Sequence, residues 1–197
     1  MNIFPKNNYI NSSSPFALSR FSNLITTYLS EQSLKNKKLT ILCIGTDRST
    51  GDSLGPLVGH KLSPLIKNYK DINILGTLEH PVHAQNLEST ILSINKECSN
   101  PLILAIDSSL GKQDRVGYLS IKNSPLRPGA GVNKVLPSVG DISITGIVNI
   151  GGMMEYMVLQ NTRLSLVMNM ADIISKSLYL SISRLYSEGY GELILKK

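Results

Sequence analysis

The chain of 197 residues contains no tryptophan, three histidines and two cysteines, and its aromatic share is only 6%. Two cysteines, Cys43 and Cys98, cannot build a disulfide framework. Each lies in or beside an apolar stretch where a buried free thiol is the common state, so a reducing cytoplasm is the expected compartment. Long apolar runs are missing as well. The longest clean one, Leu102 to Ile106, falls far short of the roughly 18 to 20 residues that cross a bilayer, so a soluble protein without a membrane partner is expected. The N-terminus MNIFPKNNYINSSSPF has no continuous apolar segment of the secretory kind. Residues 1–14 therefore read as a flexible arm and 15–197 as a single domain, a comfortable length for one hydrophobic core. The hydrophobic share of 42%, the charged share of 17% and a mean hydropathy of +0.03 exclude a disordered chain. Twenty Lys+Arg against fourteen Asp+Glu leave +6. The clearest basic clusters, Lys35, Lys37 and Lys38 and then Lys196-Lys197, are solvated ends, and no basic stripe interleaved with aromatics is present. Nucleic acid is not an expected partner.

What is present is an alternation of elements, without internal repeats. Phe16, Phe21, Leu24, Ile25 and Leu29 recur at helical spacing over Pro15 to Glu31. Leu39 to Ile44 reads as a buried strand, followed by a polar glycine-bearing loop and a helix from about Leu54 to Ile66. Ile72 to Leu75 and a helix from about His83 to Cys98 repeat that order, and Pro101 to Ile106 forms a third strand ending at Asp107. Such runs argue for a mostly parallel sheet covered on both faces. Arg115 to Ile121 and Ile142 to Ile150 read as further strands, separated by a long loop rich in proline and glycine over 123–141. Loops of that length in compact domains are often functional. Gly151-Gly152 breaks the last strand, and a long helix from about Met153 to Tyr186 closes the chain, with Met153, Met154 and Met157 as core fillers.

The richest segment is Ile44-Gly-Thr-Asp-Arg-Ser-Thr-Gly-Asp-Ser-Leu-Gly-Pro56. Ligands of open α/β sheets sit beyond the carboxyl ends of strands, which is where this loop lies. Asp52 is either a helix N-cap or a functional carboxylate. Asp107, at the end of the third strand, is either a turn residue or its counterpart, and two carboxylates at neighbouring strand ends can share a proton or divide acid and base roles. Gly51-Asp-Ser-Leu54 also matches the signature of the GDSL esterases, with Ser53 as nucleophile. The order of roles argues against it, because His60, His80 and His83 all precede the place where a catalytic histidine is needed. Glu79-His-Pro-Val-His83 offers metal-binding side chains, but Pro81 keeps the histidines off a regular helical face and no third or fourth ligand stands at a known spacing. His83 reads instead as a residue lining the cleft. No phosphate-binding glycine motif follows any strand, although Gly151-Gly152 offers backbone amides before a helix.

Four segments together carry a resemblance: Gly45-x6-Asp52-Ser-Leu-Gly-Pro56, Gly76-Thr-Leu-x2-Pro-Val-His-Ala-x-Asn-Leu87, Ala105-Ile-Asp-Ser-Ser109 and Pro128-Gly-Ala-Gly131. In this order, over about residues 39–180, the chain resembles the sporulation protein YyaC family, itself similar to the spore germination protease and, more remotely, to the hydrogenase maturation proteases. The resemblance implies an α/β fold, a three-layer αβα sandwich of the phosphorylase/hydrolase-like kind. It implies that Asp52 and Asp107 correspond to the catalytic carboxylate pair of the germination protease. In the hydrogenase maturation enzymes the matching carboxylates bind nickel with a later histidine; no histidine follows His83 here, so a site without metal or other cofactor is expected. The forespore or spore interior is the compartment that the resemblance implies.

The expectation from sequence is thus an aspartic-type endopeptidase of spore-forming bacteria, in which one of Asp52 and Asp107 activates a water and the other protonates the leaving amine. Supporting residues are Asp47, which polarises the loop, His83, Ser108, and the glycine-rich loop with Arg127, Gly129, Gly131 and Lys134. Arg127 and Lys134 are placed to bind a substrate carboxylate or steady an oxyanion. The expected partner is a protein or peptide substrate. The alternative is a non-catalytic protein that binds a peptide or partner on a protease-like fold. Assembly into a homo-oligomer is left open.

Overall fold

The computed structural model describes residues 8–32, 37–129 and 136–189. Its centre is one sheet of six strands in the order β1-β5-β6-β4-β2-β3. The strands are β1 (Tyr9–Asn11), β2 (Leu39–Cys43), β3 (Ile72–Leu75), β4 (Leu102–Gly111), β5 (Tyr118–Lys122) and β6 (Ile142–Ile150). The helices are α1 (Ala17–Glu31), α2 (Leu54–Leu62), α3 (Leu87–Glu97), α4 (Glu155–Gln160) and α5 (Leu164–Ser187). β3, β2, β4 and β6 run parallel; β5 lies antiparallel to both β6 and β1.

Side-chain alternation divides the core into two layers. Leu39, Ile41, Leu102, Leu104, Ile106, Ile142 and Ile144 face α1, α2 and α5, while Leu42, Ile44, Ile103 and Ala105 face α3 and the segment around Leu126 and Val139. Helices on both sides of the sheet make the three-layer sandwich expected from the sequence. The outer helix pair packs closely because α5 presents serines to α1: Ser177 donates to the Leu18 carbonyl (3.3 Å) and Ser181 to that of Ser22 (2.8 Å).

The elements depart from the sequence reading in four places. Residues 9–11, assigned to a flexible arm, pair with β5 as an edge strand, because β5 otherwise leaves a row of backbone groups unpaired. The third strand does not end at Asp107 but runs on to Gly111, since β6 keeps pairing with it. The last helix is two helices. Asn149 donates its Nδ2 to the Val158 carbonyl and to Thr162 Oγ1 (3.2 Å each), and Arg163 turns extended, so α4 stops before α5 starts. The methionines are not core: Met153 is 88% exposed and Met154 and Met157 are also exposed, because α4 buries only Leu159. Among the described residues no helix is long and apolar enough to cross a membrane.

Candidate functional site

The loop after β2 is folded by glycine. Gly45 has φ +144, and a Cβ there would stand 2.0 Å from the Asp52 carbonyl oxygen; at Gly55 it would stand 2.1 Å from that of Ile44. Only hydrogen at both positions lets the chain double back until the Thr46 N–H reaches the Asp52 carbonyl (3.1 Å) and α2 starts against the end of β2. This holds Asp52 in a short 3-10 turn, Gly51–Ser53, beside β4. Its carboxylate caps neither that turn nor α2. It accepts a long hydrogen bond from Ser108 Oγ (3.5 Å) instead, so the N-cap role does not apply.

Asp107 occupies β4 opposite Thr145, and its Oδ1 accepts the N–H of Ser108 at 2.8 Å. Both carboxyls therefore converge on Ser108. Burial, and then the nearby charge of Asp52, push Asp107 well above the usual carboxylate range, against the pull of the Ser108 N–H. Burial also raises Asp52, opposed by the Ser108 hydroxyl. Among the described residues no cation is among the influences on either group, and Asp107 has the stronger upward push of the two.

The two aspartates line a cavity of about 750 Å³, the mouth of the sheet at the carboxyl ends of β2 and β4. Of the residues singled out in the sequence, Asp52, Asp107, His83, Ser108, Arg127 and Gly129 line it. Asp47 does not; it is exposed on the outer side of its loop. Gly131 and Lys134 lie outside the described residues. His83 Nδ1 accepts the N–H of Gln85 (3.3 Å). Leu126, next to Arg127 on the cavity wall, is held by a two-way bridge to Val139 (2.8 and 2.9 Å).

Lys122, Thr145, Glu155 and Tyr156 also line the cavity and were not singled out. For Thr145 the signal was present, since polar residues alternate with isoleucines along Ile142-Ser-Ile-Thr145 and mark a strand face not packed on a helix. Glu155 and Tyr156 belong to α4, which the sequence merged into a longer helix.

Two other chemistries do not fit. Ser53 is buried, donates to the Thr50 carbonyl (2.7 Å) and does not reach the cavity, so it is no nucleophile. Glu79 pairs with His60 (3.2 Å) rather than with His83. Among the described residues, Asp52, Asp107 and His83 included, no three His, Cys, Asp or Glu side chains come together as a metal-binding set.

Comparison with known proteins agrees with this architecture. Residues 9–177 match the family described as "Protein of unknown function (DUF1256)". Over 159 residues the chain is 52% identical to "Uncharacterized protein YyaC" of Bacillus subtilis (strain 168), covering 80% of this chain and 77% of the relative. Among solved structures, the [NiFe] hydrogenase maturation protease HycI from Thermococcus kodakarensis KOD1 superposes with a TM-score of 0.55 at 18% identity, over 79% of this chain and 99% of that one. The hydrogenase maturating endopeptidase HybD from E. coli has a TM-score of 0.44 at 13% identity, over 80% and 96%. The chain is thus a member of the DUF1256 family and a homologue of YyaC, with a fold similar to that of a hydrogenase maturation protease.

Proposed function

We propose that this protein is an endopeptidase of the aspartic type, with Asp52 as general base and Asp107 as general acid. The observation that carries the reading is the convergence of two carboxyls of unequal proton affinity on Ser108, at the wall of one cavity. In the reaction, Asp52 takes a proton from a water whose oxygen bonds to the carbonyl carbon of the substrate. Asp107 gives its proton to the leaving nitrogen as the C–N bond breaks. A proton then passes from Asp52 to Asp107, and the pair is restored. Each such transfer is worth about 10² to 10⁴-fold in rate. A protease-like fold at the level of HycI supports a peptidase; the assignment of roles rests on the local environment of each carboxyl.

The resemblance to a sporulation family makes forespore protein the substrate pool to examine. Incubating the purified chain with forespore extract and mapping new peptide termini by mass spectrometry, beside the Asp52→Asn/Asp107→Asn double variant, tests the reading. New termini with the wild-type chain alone are the expected result. Identical termini from both proteins refute it.

A further inference from the structure

Among the described residues, β4 runs on beyond its last pair with β2, and that stretch lines the cavity. Backbone groups of a strand point alternately to its two neighbours. Leu102 donates to the Lys38 carbonyl next to β2 and Ile106 accepts from Ile44, so even-numbered residues face β2; Ile103 and Gly111 accept from Asp141 and Gly151, so odd ones face β6. The pairing with β2 ends at Cys43 and Ile106, whereas that with β6 continues to Gly111. Ser108 and Leu110 thus turn their backbone toward a neighbour that has already ended. Among the described residues, no hydrogen bond from a turn or loop takes up the Ser108 carbonyl or the Leu110 N–H and carbonyl, and no residue of β2 is paired with either.

The cavity follows that edge. Asp107, Ser108, Ser109 and Leu110 are consecutive and all line it, yet alternation sends their side chains to opposite faces of the sheet. Leu159 on the lining belongs to the layer of α1, α2 and α5, and Leu126 to the opposite layer. A single space that touches both faces passes beside β4 beyond Ile106, where, among the described residues, its pairing with β2 has ended.

We infer that the substrate is an extended peptide segment that adds to the free edge of β4 at Ser108–Leu110 as a further strand, which carries its backbone to the Asp52/Asp107 pair. This rests on the peptidase reading of the same site and specifies the conformation in which the substrate is held. Main-chain hydrogen bonds supply the grip in strand addition, and alternate side chains fall to the two sides. Here they fall toward Leu159 and Tyr156 on one side and Leu126 and Leu136 on the other, which favours apolar residues at both. The next slot of the ladder, the Ser108 N–H, is already taken by Asp107. A peptide carbonyl arriving there meets the carboxyl of Asp107 rather than a backbone amide, which sets the register of the substrate against the acid.

The probe is an equimolar library of acetylated, amidated hexapeptides, offered to the Asp107→Asn protein and sorted by ultrafiltration and mass spectrometry. The best-retained sequence is then remade with a single N-methyl group at each residue in turn. Strand addition predicts affinity losses of about tenfold at every second residue and small effects between them. Losses without that alternation, or no retained hexapeptide, overturn the inference. Leu110→Pro removes a donor that β6 does not use. With its circular dichroism and melting unchanged it is expected to bind about tenfold more weakly, and undiminished binding by the folded variant also overturns the inference. The N-methyl series decides the matter if Leu110→Pro does not fold. Alternating losses with no cleavage of the same peptides by the wild-type chain preserve the strand site and remove the peptidase; cleavage without alternation does the reverse.

Discussion

Replacing Asp107 by asparagine is expected to stabilise the protein, and by an amount that grows with pH. In the native chain the carboxyl is buried beside Asp52, which pushes its pKa well above the ordinary range, whereas in the unfolded chain it releases its proton near the ordinary aspartate value of about 3.9. A native pKa raised in this way contributes stability that is complete below the unfolded pKa and declines as pH rises toward the native one. Between the two, native protein holds one more proton than unfolded protein, and each pH unit removes about 1.4 kcal/mol from the wild type. Asparagine does not titrate and keeps an oxygen to accept the Ser108 N–H, so the variant escapes this loss. For a chain of this size, about 1 kcal/mol corresponds to roughly 2 to 4 °C in Tm. The difference in Tm between variant and wild type should therefore open at roughly 3 to 5 °C per pH unit above about pH 4, before it levels off at the native pKa. Paired urea titrations and thermal melts from pH 4 to 8 measure it. The difference between the two curves carries the test, because any packing cost of asparagine is the same at every pH. Curves that run parallel across this range would refute the burial of a protonated carboxyl at this site, and with it the choice of Asp107 as acid.

Other perturbations separate the parts of the structure. Ser108→Ala removes the hydroxyl that opposes the upward shift of Asp52, so the ¹³C carboxyl titration of Asp52 should move to higher pH; an unmoved titration contradicts the hydrogen bond. Gly45→Ala forces a Cβ into the Asp52 carbonyl and should destabilise by roughly 3 kcal/mol or more in chemical denaturation. Leu104→Ala, near the start of β4 and fully buried, should cost about 2 to 5 kcal/mol by the same assay. Cys43 is buried, and burial pushes its thiol pKa far up. A thiol reagent at neutral pH should label the partly exposed Cys98 first and Cys43 only on unfolding, as peptide mapping will show.

Much of the sheet was legible because parallel strands buried on both faces leave continuous apolar runs, as in Leu39 to Ile44 and Leu102 to Ile106. The loop glycines were legible too, since Gly45 and Gly55 bracket a chain reversal that tolerates no Cβ. The edge strand Tyr9–Asn11 was not, for three residues carry too little periodicity and acquire order only from β5. The split between α4 and α5 depends on Asn149, which lies 9 and 13 residues before its partners Val158 and Thr162, and local pattern is blind to that contact.

The sequence by itself determined the class of fold, the place of Asp52 in the loop between the first buried strand and its helix, and the absence of a histidine late in the chain, because hydrophobic period and glycine position are local physical constraints. The tertiary structure decided what those carboxyls are. Only the register of β4 against β2 and β6 brings Ser108 between them, buries Asp107 so that its carboxyl is pushed well above the usual range, and, among the described residues, leaves Ser108–Leu110 beyond the last pair with β2. Proton affinity and an unpaired strand edge are properties of surroundings assembled from distant segments, and no stretch of sequence contains them alone.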